Sequence, residues 1–221
     1  MPDNRHRPGN GAALSFWGKV TANMSHELAN VVAILNQATG LFGDLLDLCD
    51  AEHPIDLQRL EVIRERLDRQ ASRASDLVQQ LNYFAHSADH GSTEVELNSL
   101  ARNLVAISSR LASMKGVELR LGCTPEEVRL NGDRYGLLQA LFLAVEYFYE
   151  NAGSGGVVEI IVVSETAGFR VKSANVLWEE DDRFAAAQSL AAQMGGRASL
   201  ARCDQGTVFT LDLSAEAHSK G

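Results

Sequence analysis

Two stretches of three-and-four periodicity, separated by a proline, constrain this chain more than any other feature. From Leu14 to about Leu48 apolar residues recur at Phe16, Val20, Met24, Leu28, Val31, Leu35, Ala38, Phe42 and Leu45. Those steps place them on one face of a helix of roughly 35 residues. Asp50-Ala51-Glu52-His53-Pro54 interrupts the pattern, because proline cannot continue a helix and disfavours helical backbone in the residue before it. The period resumes through Leu57, Leu60, Ile63, Leu67, Ala74, Leu77, Leu81 and Phe84. So short a break predicts an antiparallel helical hairpin. A hairpin alone leaves each apolar stripe half open to water, so a second copy is expected to complete a four-helix bundle, making the protein a homodimer.

The period changes after Ala88-Asp89-His90-Gly91-Ser92, where the domain boundary is expected. A helix over 97–114 is followed by strand-like 117–121 and 128–130, and a helix from Asp133 to about Glu150 comes next. Residues 157–163 and 169–176 read as a hairpin of strands turning at Thr166-Ala167-Gly168; 183–194 reads as a helix, and 198–201 and 208–213 as strands. The expected organisation is a disordered arm at 1–12, a helical-hairpin domain at 13–90, an α/β sandwich at 93–214 and a tail at 215–221.

Composition excludes several classes of partner. Twenty Lys and Arg against 29 Asp and Glu give a net charge of -9, a field that repels nucleic-acid backbones and anionic membranes. No apolar run reaches membrane-spanning length, and the first 13 residues lack the apolar core of a secretory signal, so a cytoplasmic location is expected. Cys49, Cys123 and Cys203 lie far apart with no CxxC, which predicts reduced, buried thiols and neither a zinc site nor a disulfide.

His26 stands on the wrong face for a core residue. Helical geometry sets it opposite the seam through Met24, Leu28 and Val31, and steps of three and four from it reach Lys19, Asn23, Asn30 and Gln37, a polar stripe. A solvent-facing imidazole is a competent nucleophile, since the neutral ring, with an ordinary pKa of about 6.5, carries a lone pair near pH 7. Glu27 beside it is placed to fix its tautomer or take a proton, and Asn30 to orient a water or a phosphoryl oxygen. Lys19 and Asn23 are the expected partner-docking residues.

Met24-Ser25-His26-Glu27-Leu28-Ala29-Asn30, on the first helix of a hairpin, resembles the phosphoacceptor box of two-component sensor histidine kinases, S-H-E-[LI]-x-[NT]-P. It departs at Val31, where that family usually has proline. The resemblance implies that His26 accepts the phosphoryl group, that Glu27 assists as a base, and that Asn30 supports dephosphorylation of a partner response regulator. It covers roughly residues 14–214, because the family joins a dimeric helical hairpin to an α/β ATP-binding domain. Asp133 with Leu137, Gln139 and Leu141 resembles the start of that domain's asparagine box, D-x-x-x-L-x-Q-x-L-x-N-L-x-x-N-A, and Gly195-Gly196 with Gly206-Thr207-Val208-Phe209 resembles its closing strand pair.

The nucleotide-binding residues of the resemblance are missing. Leu143 and Tyr147 stand where the two metal-binding asparagines belong; Asn151-Ala152 matches the end of the box only in a register that gives up Gln139. Ser173-Ala174-Asn175-Val176-Leu177-Trp178 replaces D-x-G-x-G, and the glycine-rich lid is reduced to Glu179-Glu180-Asp181-Asp182, four carboxylates expected to repel a triphosphate. An intact acceptor histidine beside a degenerate ATPase-like domain resembles the dimeric histidine phosphotransferases. The expected function is phosphoryl relay between receiver-domain aspartates through His26, with no ATP, cofactor or metal bound by this chain. Mg²⁺ is expected on the partner receiver. The expected partners are response-regulator receiver domains and an upstream hybrid kinase. A response-regulator phosphatase using Glu27 and Asn30, or a non-catalytic dimeric adaptor, are the competing readings.

Overall fold

A computed structural model of the protein describes residues 10–50, 54–86, 93–122, 127–176, 181–203 and 206–213. The order of elements is α1 (Asn10–Asp47), α2 (Leu57–His86), β1 (Thr93–Glu96), α3 (Leu97–Met114), β2 (Glu118–Leu121), β3 (Arg129–Gly132), α4 (Arg134–Asn151), β4 (Val157–Val163), β5 (Gly168–Ser173), α5 (Asp182–Gln193), β6 (Arg197–Cys203) and β7 (Gly206–Asp212). Two compact units result. Thr21–Tyr83 forms one, and Met1–Val20 together with Phe84–Gly221 forms the other. The expected boundary at 88–92 lies outside the described residues.

The first unit is the hairpin of α1 and α2. Ala38, Val31, Ile63 and Leu77 are buried between the helices. Two polar rungs tie one helix to the other: Arg66 donates to Gln37 Oε1 at 2.9 Å, and Arg73 donates to Glu27 Oε2 at 3.0 Å. The outer face of α2 carries ion pairs three and four residues apart, among them Arg64 with Glu61 and with Asp68, which water screens at so exposed a surface.

The second unit has a five-stranded mixed sheet, order β2-β4-β5-β7-β6, with only the β2–β4 pair parallel. Alternate residues of β7, Thr207, Phe209 and Leu211, are buried, as a strand with one covered face requires. Glu96 caps α3, accepting from the backbone N–H groups of Asn98 and Ser99 at 2.7 and 2.6 Å. Helix α4 is buried on every side from Gly136 to Tyr149, so it is the unit's central rod and not a surface helix. The first turns of α1 join this core. Phe16 meets Phe84 edge-on at 5.2 Å and Phe142 at 4.6 Å, while Trp17 lies 4.0 Å from Phe84 and stacks on Tyr135 at 5.8 Å. Such aromatic pairs add about 0.5–1.5 kcal/mol each beyond their burial.

Four expectations need correction. Helix α1 already runs at Asn10, so the arm is shorter than composition suggested; residues 1–9 lie outside the described residues. The strand expected over 169–176 ends at Ser173. Strand β1, pairing antiparallel with β3, went unforeseen because Thr-Glu-Val-Glu holds one apolar residue and runs straight into a helix. Cys49 and Cys203 are exposed free thiols, not buried ones, and Cys123 lies outside the described residues. Gly195 and Gly196 lead directly into the antiparallel pair of β6 and β7, as the resemblance implied. They close α5: Gly195, at φ 73°, donates to the Ala192 carbonyl and Gly196 to that of Ala191, the two bonds that a left-handed residue makes at a helix end.

Candidate functional site

In the hairpin unit, His26 sits on the outer face of α1. Its ring is exposed and has no partner among the described residues, and Asn30, one turn along, is likewise exposed and unpartnered. Successive helical residues turn by about 100°, so the residue after an outward histidine faces inward. Glu27 accordingly lies on the hairpin face, four residues before buried Val31. Its carboxylate is taken by the Arg73 guanidinium, which is itself 52% exposed. Glu27 is therefore a buried, paired anion tied across the hairpin, and it does not lean on the His26 ring as expected.

The rest of the polar stripe is divided. Gln37 is exposed and accepts from Arg66. Asn23 is 7% exposed, so it is a buried polar residue and not part of an open docking face. In the other unit, Lys19 is half-exposed, and its ammonium lies 2.5 Å from Glu146 Oε1, a carboxylate buried on α4. Burial and the neighbouring Glu146 together push the Tyr149 hydroxyl well above its ordinary range. Sequence reasoning missed both Arg73 and Glu146, since nothing local marks a residue whose role is to neutralise a charge on another element.

Farther along the hairpin, on the side of α1 that carries His26, an apolar groove of about 650 Å³ opens between Leu41, Leu45 and Leu48 of the α1 end and Val62 and Ile63 of α2, with Asp44, Asp56 and Arg59 at its edge. On the other side runs a heptad stripe. On α2 it reads Leu57, Leu60, Arg64, Leu67, Ala71, Ala74, Val78 and Leu81; on α1 it reads Leu28, Val32, Leu35, Phe42 and Leu46. Val32, Phe42, Leu46, Leu57 and Val78 on this stripe are between 40% and 73% exposed.

In the α/β unit, Gln139, Leu143 and Tyr147 are all buried along α4. Asn151 donates its amide to the Tyr147 carbonyl at 2.7 Å and so finishes its own helix. Helix α5 packs along α4, and Phe184 meets Phe209 edge-on at 6.1 Å. Between Leu143, Tyr147, Phe184 and Phe209 only about 10 Å³ is left, no more than a water molecule occupies and far below the roughly 300–1,000 Å³ of a small-molecule site. At the end of β5, where the aspartate of D-x-G-x-G was sought, Ser173 is buried with its hydroxyl unpartnered among the described residues. The Thr207 hydroxyl donates to the Val176 carbonyl at 2.6 Å, holding the following loop down on β7. That close approach needs Gly206, at φ 111°, since a Cβ there would lie 2.2 Å from the Ser173 carbonyl oxygen. Of the acidic connector, Glu179 and Glu180 lie outside the described residues, and Asp181 is no free carboxylate: it caps α5 and grips Arg183.

Among the described residues no group of three or more His, Cys, Asp or Glu side chains is placed to hold a metal ion, and no helix is long and apolar enough to cross a membrane. No protein-family model matches the chain, and no curated protein matches it. Among solved structures, it is similar to the cytoplasmic segment of the histidine kinase QseC, at 18% identity over 64% of this chain and 92% of that one, with a TM-score of 0.49. It is similar to the Acinetobacter baumannii histidine kinase AdeS, at 17% identity over 86% of this chain and 98% of that one, with a TM-score of 0.45. It is also similar to the histidine kinase ThkA, in a crystal structure with the response regulator protein TrrA, at 17% identity over 94% of this chain and 64% of that one, with a TM-score of 0.49.

Proposed function

We propose that this protein is a cytoplasmic homodimeric histidine phosphotransferase, which relays a phosphoryl group between receiver-domain aspartates through His26 without ATP. The observation that carries the reading is a pairing of opposites. The histidine in the S-H-E-L box is exposed and unpartnered among the described residues on the outer face of α1, while the space between Leu143, Tyr147, Phe184 and Phe209 in the α/β unit is only about 10 Å³.

The chemistry asks little of the neighbours of His26. A ring nitrogen attacks the phosphorus of a receiver's aspartyl phosphate; the N–P bond forms as the P–O bond breaks, and the aspartate leaves as a carboxylate. A second receiver's aspartate then attacks the phosphoimidazole, the N–P bond breaks, and the neutral ring returns. The donor is already an acyl phosphate and the attacking nitrogen already bears a lone pair, so no base is required. Glu27, committed to Arg73, fits that economy, and the same pairing weighs against a phosphatase in which Glu27 activates water. Asn30 is free to bond a phosphoryl oxygen. Mg²⁺ belongs to the receiver in this scheme.

The heptad stripe on α1 and α2 is the surface we assign to the second copy, completing a four-helix bundle and leaving His26 and the groove at Leu41 and Val62 on the outside. Receiver domains and an upstream hybrid kinase are the partners this reading requires. It is tested by incubating the protein with a phosphorylated receiver domain and, separately, with labelled ATP and Mg²⁺. Acid-labile label from the receiver on wild type and none on His26→Ala is the expected result. Label from ATP alone overturns the ATP-free reading, and no label from either source overturns the relay.

A further inference from the structure

Arg183, the second residue of α5, sits in a socket built from α4 and from the N-cap of its own helix. Asp181 Oδ1 accepts from the Arg183 backbone N–H at 2.7 Å and from Nε at 2.9 Å; Asp181 Oδ2 accepts from Nε at 3.1 Å and from Nη2 at 2.6 Å. Nη1 reaches back to α4 and donates to Glu150 Oε2 at 2.7 Å. The guanidinium carbon lies over the Tyr147 ring, 5.7 Å from its centroid. The side chain is 24% exposed, so most of its charge is answered by protein and not by water. The next residue, Phe184, is the ring that fills the α4–α5 cleft.

We propose that Arg183 is a built-in cation that latches α5 onto α4, so that the chain itself holds this cleft shut and supplies the positive charge its carboxylates demand. Without Arg183, Asp181 and Glu150 face a common point with no cation between them, and Phe184 loses the contact that fixes its entry into the core. A planar fork is what the geometry selects. Two carboxylates are engaged from different directions while the flat face lies over an aromatic ring, an arrangement a lysine ammonium reproduces only as a point charge. This inference rests on no step at His26, and phosphoryl transfer plays no part in judging it.

The test uses the full-length protein with Arg183→Ala and Arg183→Lys. Thermal unfolding and amide hydrogen exchange over 182–193 are followed with and without methylguanidinium chloride at a millimolar, non-denaturing concentration. Arg183→Ala is expected to lower the unfolding midpoint by about 5 °C and to speed exchange in α5 by about tenfold. Methylguanidinium restores much of both by occupying the vacated socket, sodium chloride at equal ionic strength does not, and Arg183→Lys falls between. Should Arg183→Ala fail to fold, Arg183→Lys carries the comparison. Wild-type midpoint and exchange in Arg183→Ala, or equal recovery in sodium chloride, overturns the latch. So does ATP binding by the wild type in the α4–α5 cleft.

Discussion

The hairpin unit and the α/β unit use the same ingredients, helices with apolar stripes and buried carboxylates, to opposite ends. The hairpin leaves Leu57, Val62 and Val32 more than half exposed and opens grooves on both sides. In the α/β unit, α4 is enclosed on all sides, and the charges on its last turns are met from within by Lys19 and Arg183. One unit leaves apolar surface uncovered, and the other encloses its central helix.

The sharpest way to break the comparison is His26→Ala. It should abolish acid-labile labelling from a phosphorylated receiver while leaving the unfolding midpoint unchanged, because the ring is exposed and unpartnered; a fall in stability would mean that the hairpin does depend on it. Next comes the core of the closed unit. Phe142→Ala removes a fully buried ring packed on Phe16 and should cost about 3–5 kcal/mol in denaturant unfolding.

Leu67→Glu on the heptad stripe should weaken self-association about a hundredfold, or roughly 2.7 kcal/mol, by sedimentation equilibrium, while spectra of the α/β unit stay unchanged. If the wild type sediments as a monomer, the stripe has another occupant. Arg73→Met leaves the largely buried Glu27 carboxylate without its cation and should cost about 1–2 kcal/mol, and Arg73→Lys should recover part of it.

The smallest effect is acid-dependent. Arg183 holds the Asp181 carboxyl below its ordinary range against the opposing pull of burial. A depressed carboxylate contributes stability that is present above its unfolded pKa, near 3.8, and is lost as pH falls through the lower folded value. Hydrogen exchange in α5 should therefore rise on acidification below about pH 4. In Arg183→Met, with Glu150 and Tyr147 still in place, that part of the pH dependence should flatten.

How much of this could be read from sequence follows the range of each interaction. Periodicity reports on a residue's own helix, so α1 and the outward turn of His26 were legible from Phe16, Val20 and Met24, and α2 from Leu57, Leu60 and Ile63. The helix that carries Leu143 and Tyr147 was likewise legible, and both are buried on it. Periodicity says nothing about what lies opposite. Asn23 looked like stripe and is buried; Glu27 looked like a neighbour of His26, yet the helical turn of a single residue sends it to Arg73, 46 positions away. Glu179-Glu180-Asp181-Asp182 read as bare repulsion although Arg183 follows directly, because only the fold shows Asp181 turned onto that guanidinium and α4 bringing Glu150 to its other side.

The contact between Phe16 and Phe142 spans about 125 residues of chain. At about 5–20 residues per second of synthesis, α4 leaves the ribosome roughly 6–25 s after the start of α1. All of α1 and α2 is available by then. Phe16 and Trp17 therefore emerge well before α4, the helix whose Phe142 and Tyr135 they pack against.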